Sequence, residues 1–160
     1  MSRFVTSAVV AAALIASGCG ATTTPGSVST SAVVPALTSA TVTFITRDNG
    51  KDANSAATVQ LLRNNAEVAG ELRAVGREFD DNTTAPPMSL SLSAPFRLND
   101  IDDGQVRARL TADGRDDWSF DMRLMLQFAD GTTRNFFWSN VRLDNAAPER
   151  VLALAPARVP

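Results

Sequence analysis

The chain has no histidine, no tyrosine, one cysteine and one lysine in 160 residues. Each shortage removes a class of chemistry. Without histidine there is no Ser-His-Asp or Cys-His nucleophile pair, no His-ligated zinc or haem, and no imidazole base. A single cysteine, Cys19, excludes an intrachain disulfide. Charge of one sign is lacking too: 15 Lys plus Arg face 17 Asp plus Glu. The 14 arginines are scattered with no basic block, so nucleic acid has no electrostatic footprint to meet and is excluded as a partner.

What is present begins with an address. Met1, Ser2 and Arg3 make a short positive start, and Phe4 to Ala16 is apolar except for Thr6 and Ser7. A spanning helix needs roughly 20 apolar residues, whereas a secretory core of about 7 to 15 ends at small residues, as here at Ser17 and Gly18. The pattern predicts a signal peptide over residues 1–18. Ala16-Ser17-Gly18-Cys19 resembles a bacterial lipobox, with Ala16 standing where that motif usually has Leu. The resemblance implies that Cys19 is the lipid-attachment residue and the first of the mature chain, tying it to a membrane of the cell envelope. The alternative is an ordinary signal cut near Ala21, which leaves a secreted soluble product. Residues 19–40 are rich in Ala, Thr, Ser and Pro, with no charge between Arg3 and Arg47. That composition suits a flexible linker, the alternative being a first strand that begins early, around Ser31 to Leu37. Without Arg3 the mature chain carries 14 positive against 17 negative side chains, about three net negative charges, which keeps it soluble without adhering to an acidic surface.

From Thr41 the period is two. Val42 and Phe44 alternate with Thr41, Thr43 and Ile45; Val59 and Leu61 follow; Leu90 and Leu92 alternate with serines; Val106, Ala108 and Leu110 oppose Arg107 and Arg109. The clearest run is Trp118, Phe120, Met122, Leu124, Leu126 and Phe128, with Ser119, Asp121, Arg123 and Gln127 on the other face. Asn49-Gly50, Asp103-Gly104, Asp113-Gly114 and Asp130-Gly131 punctuate these runs. Such a pattern predicts an all-β, antiparallel β-sandwich of seven or eight strands over residues 41–156, large enough to bury about two thirds of its unfolded surface. Glu67 to Glu78 reads either as a helical turn or as strand and loop, the second favoured by Gly70 and Gly76.

The acidic residues are 13 Asp and only 4 Glu, and the Asp collect in predicted loops. Asp suits turns, and its carboxylates from several loops also suit calcium, which takes six to eight oxygens. No contiguous EF-hand loop exists, because in Asp48-Asn49-Gly50-Lys51-Asp52 the glycine comes third. Thr43-Phe-Ile-Thr-Arg-Asp-Asn-Gly-Lys-Asp, the run Thr58-Val-Gln-Leu-Leu, Phe79-Asp-Asp-Asn and Gly114-Arg-Asp-Asp-Trp-Ser-Phe together resemble PLAT/LH2-like β-sandwich domains. The resemblance implies a loop calcium site with Asp48, Asp52, Asp80, Asp81 and Asp117 as ligands, and a packing role for Trp118. Gly50 departs from it where an acidic residue would strengthen the cluster.

Other chemistry is poorly supplied. Glu67 and Glu71 have the spacing of one helix face, but a glycosidase pair needs a cleft. Lys51 reads as an exposed hairpin tip, unsuited to act as a base. Phe137 must face opposite Phe136 and Trp138 on a strand, making it the candidate binding surface for protein, sugar or lipid. The expectation is a non-catalytic cell-envelope lipoprotein, a binding or interaction module with calcium as its candidate cofactor. Its alternatives are a structural lipoprotein docking on a protein complex without metal, and a small hydrolase using carboxylates alone.

Overall fold

Alternation of apolar and polar residues puts one set of side chains on each face of a strand, and the strands here bury the apolar set between two sheets. The structure, a computed structural model, describes residues 33–64 and 66–155. The predicted signal peptide, Cys19 and most of the linker therefore lie outside the described residues. Among the described residues nine strands follow one another: β1 (Leu37–Thr46), β2 (Ala56–Arg63), β3 (Glu67–Ala74), β4 (Met88–Ser89), β5 (Ser91–Leu92), β6 (Gln105–Thr111), β7 (Asp117–Phe128), β8 (Thr133–Asp144) and β9 (Glu149–Ala153). A single turn of 3-10 helix, Leu98–Ile101, precedes β6. One sheet has the order β4-β1-β7-β8 and the other β5-β3-β2-β6-β9, every pairing antiparallel.

The long period-two run behaves as its pattern predicts. Trp118, Phe120, Met122, Leu124, Leu126 and Phe128 all point inward and are buried, beside Ala40, Val42 and Phe44 of β1 in the same sheet and in one core with the inward residues of β2 and β6. After Phe128 the chain reverses through Asp130-Gly131. The left-handed backbone at Gly131 (φ 84°) favours glycine. Asp130 fixes the turn by accepting from the Thr132 N–H at 2.9 Å and the Thr132 hydroxyl at 2.8 Å.

The other expectations need correction in two places. The Ser89 to Ser93 run is not one strand with Leu90 and Leu92 on a shared face. Met88–Ser89 pairs with β1 and Ser91–Leu92 pairs with β3, so the chain changes sheet at Leu90, which is buried while Leu92 is exposed. That crossing closes one side of the sandwich and raises the strand number to nine. The first strand also begins at Leu37, ahead of Thr41, because Leu37, Ser39 and Ala40 already pair with Phe128, Gln127 and Leu126 of β7. Glu67–Ala74 is a strand, and Gly70 lies under the Leu92 side chain, where a Cβ would sit 3.0 Å from Leu92 Cδ2.

Packing of this density sets a direct expectation. Phe120→Ala leaves a ring-sized void between Trp118 and Phe44, so urea unfolding should show a loss of about 3–5 kcal/mol. The exposed Phe137→Ala should change stability by less than about 0.5 kcal/mol.

Candidate functional site

The loops at one end of the sandwich are held together by a loop phenylalanine. Phe79 lies in the connection after β3, yet it is buried and stacks parallel to Trp118 with ring centroids 5.1 Å apart. Phe44 and Phe120 complete the cluster, at 4.8 and 4.0 Å from Trp118. The Trp118 indole donates to Thr46 Oγ1 at 3.4 Å, so its polar atom is satisfied inside the core. Phe79 in turn forms a two-way backbone bridge with Lys51: the Lys51 N–H donates to the Phe79 carbonyl at 3.0 Å and the Phe79 N–H to the Lys51 carbonyl at 2.9 Å. The β1–β2 loop is thereby stitched to the β3–β4 connection.

Lys51 is therefore not an exposed hairpin tip; it is 1% exposed. Its ammonium donates to the backbone carbonyls of Asp52 at 2.7 Å and Ser55 at 2.5 Å, and lies 5.6 Å from the centroid of the Phe79 ring. Burial pushes the amine below its ordinary range, opposed by the charges of Asp116, Asp52 and Glu78. Asp116 is itself 7% exposed, with Oδ2 buried and without a hydrogen-bond partner. The sequence carries no signal for this burial, since Gly-Lys-Asp in a turn is ordinarily solvated.

Asp52, Asp80 and Asp81 line one pocket of about 470 Å³ together with Gly50, Lys51 and Phe79. Asp48 is exposed beside Arg47. Asp117 lies on β7, where its carboxylate takes two bonds from Arg142, at 3.0 and 2.5 Å. The five expected ligands are thus not drawn to a single point: among the described residues no group of three or more Cys, Asp or Glu side chains is placed to hold a metal ion. The absence of an acidic residue at Gly50 has a steric reason. A Cβ there would sit 2.5 Å from the Phe79 carbonyl oxygen and 2.9 Å from Asp81 Oδ1, so the loops meet only over glycine.

Several other acidic groups do turn work. Asp100 accepts from the Arg97 N–H at 2.6 Å at the start of the 3-10 turn, and Asp144 accepts from the N–H groups of Ala146 and Ala147 at 2.8 and 2.7 Å. Asp121 is held well below the usual carboxylate range by the two-pronged Arg47 guanidinium, at 2.8 and 3.0 Å, and by the Asn140 N–H. Glu67 pairs with Arg63, while Glu71 pairs with Arg73 and accepts from Gln60 at 2.6 Å, which lowers its pKa. On a strand these two glutamates have separate partners.

On the four-stranded sheet Phe137 does face opposite its neighbours. It is 55% exposed, whereas Phe136 and Trp138 are partly buried against the core, stacked on each other at 5.9 Å. The Arg123 guanidinium lies over the Phe137 ring at 5.7 Å, and Met125, on the same outward face, is 42% exposed.

The buried amine has a pH signature. Lys51 is the sole lysine and the chain has no tyrosine, so no other side-chain type in the sandwich ordinarily titrates near pH 10. A lowered amine pKa means that the unfolded chain binds more protons between that pKa and 10.5, so stability rises with pH through this window. Urea midpoints should climb there, and the slope should vanish in Lys51→Met. Lys51→Ala should cost about 2–4 kcal/mol at neutral pH by stripping two carbonyls of their donor.

No family model matches the chain and no curated protein matches it in sequence, which leaves the two antiparallel sheets as the part of the PLAT/LH2-like expectation that is shown.

Proposed function

We propose that the chain is an exported, lipid-anchored, non-catalytic module of a bacterial cell envelope, docking on a larger protein assembly through the outward face of its four-stranded sheet. The observation that carries this reading is Phe137, half-exposed on the edge strand β8 under the Arg123 guanidinium and next to Met125. Aromatic and arginine side chains supply most of the energy at protein interfaces, and full burial of one phenylalanine is worth about 2 kcal/mol. Among the described residues strand β8 pairs with β7 along one side only, so its other side offers backbone donors and acceptors to a partner. The signal sequence and Cys19 supply the address, and the linker carries the sandwich away from the bilayer.

A calcium-binding module of PLAT/LH2-like type is the second reading, favoured by Asp52, Asp80 and Asp81 sharing one pocket. Weighing against it, the Lys51 ammonium already occupies the loop carbonyls a cation would take, and Asp117 is committed to Arg142. A hydrolase working through Glu67 and Glu71 has less support, since each is tied to an arginine.

Two measurements separate these readings. Full-length chain carrying a photo-crosslinking residue at Asn135 should capture an envelope protein, and Phe137→Ala should abolish the capture with no change in melting temperature. Capture that survives Phe137→Ala together with Arg123→Ala would refute docking at this face. Melting in EDTA and in millimolar calcium should coincide; a rise of several degrees that is lost in Asp80→Ala would instead establish the calcium module.

A further inference from the structure

The outward face of the five-stranded sheet is built differently and is not used by the docking proposed above. In register, Arg73, Thr58, Arg109 and Glu149 form one row across β3, β2, β6 and β9. Glu71, Gln60, Arg107 and Val151 form the next, and Ala56 lies beside Thr111 beyond the first. The central strand β2 offers Ala56 and Thr58 between long side chains on its neighbours. The face is consequently a trough, of about 500 Å³, within the range of small-ligand sites.

Charge in the trough is incompletely cancelled. Arg73 pairs with Glu71, and Arg107 Nε lies 3.3 Å from Glu149 Oε1 but out of line for a hydrogen bond, leaving that buried N–H without an acceptor. Glu149 stands opposite Arg109 in the ladder but turns to Arg107, so the exposed Arg109 side chain has no partner among the described residues. Three guanidiniums face two carboxylates.

We propose that this trough binds an acidic peptide segment, with Arg109 taking a carboxylate and the hydroxyls of Thr58 and Thr111 beside it as further donors. A guanidinium fork matches a carboxylate with two parallel bonds. Glu71 and Glu149 would repel a densely charged polyanion, whereas a peptide spaces its carboxylates with neutral amides. Among the described residues no aromatic side chain lines the trough to stack on a sugar ring, while the exposed Val75 on its lining suits aliphatic peptide groups.

The test is an amide chemical-shift titration of the full-length chain with acetyl-Gly-Glu-Val-Asp-Gly-amide, its Gln/Asn counterpart, and trigalacturonate. Shifts should concentrate at Thr58, Arg109 and Thr111, with binding weakened roughly tenfold or more by the neutral peptide and by Arg109→Gln. Arg109→Gln should leave the melting temperature unchanged, and Phe137→Ala should leave the titration unchanged, so this site stands independently of the docking face. No shift at about 10 mM acidic peptide, where even millimolar affinity would register, overturns the proposal. Shifts that survive Arg109→Gln also overturn it, and tighter binding of trigalacturonate than of peptide reassigns the trough to an acidic glycan.

Discussion

The stack of Phe79 on Trp118 is the contact on which the loop end of this sandwich depends. Phe79 belongs to a connection, yet its ring is as buried as those of the strands, so the segment that carries it is part of the core. Once the ring is seated, the backbone bridge to Lys51 follows, and the Lys51 side chain is enclosed with it. A buried ammonium is costly unless its protons are accepted. Here the carbonyls of Asp52 and Ser55 accept them and the Phe79 ring lies over the nitrogen. The loop 52–55 is thus organised around a cation that the chain supplies itself.

Every strand that contributes inward residues must present an equal set outward, and the two outward sets differ in chemistry. The four-stranded sheet shows Phe137 and Met125 with the Arg123 guanidinium over the Phe137 ring, an amphipathic surface on and beside its edge strand β8. The five-stranded sheet shows rows of Arg, Glu, Gln and Thr, shaped into a trough by the small residues of its central strand. One sandwich therefore carries two outward faces of unlike chemistry.

Much of the fold was legible in residue order. The six inward residues of β7, the Asp130-Gly131 reversal and the opposed faces of Phe136 and Phe137 all follow from a period of two and from turn chemistry, which are local properties. The change of sheet at Leu90 was not legible, because Met88, Leu90 and Leu92 alternate just as a single strand would. Which partner each half pairs with is settled by β1 and β3, both distant in sequence. The loop end was misread for a related reason: Gly-Lys-Asp carries the composition of a solvated turn, and the burial of Lys51 comes from Phe79, 28 positions away.

By itself, then, the sequence determined the fold class, the inward set of the long strands and which aromatic faces solvent, since each depends on neighbours one or two residues apart. The tertiary structure alone decided the burial of Lys51, the need for glycine at position 50 and the neighbours of each aspartate. It also decided the assembly of Arg73 with Arg107 and Arg109 on one face, because strand order and register set β3 and β6 on either side of β2, a pairing that no local pattern connects.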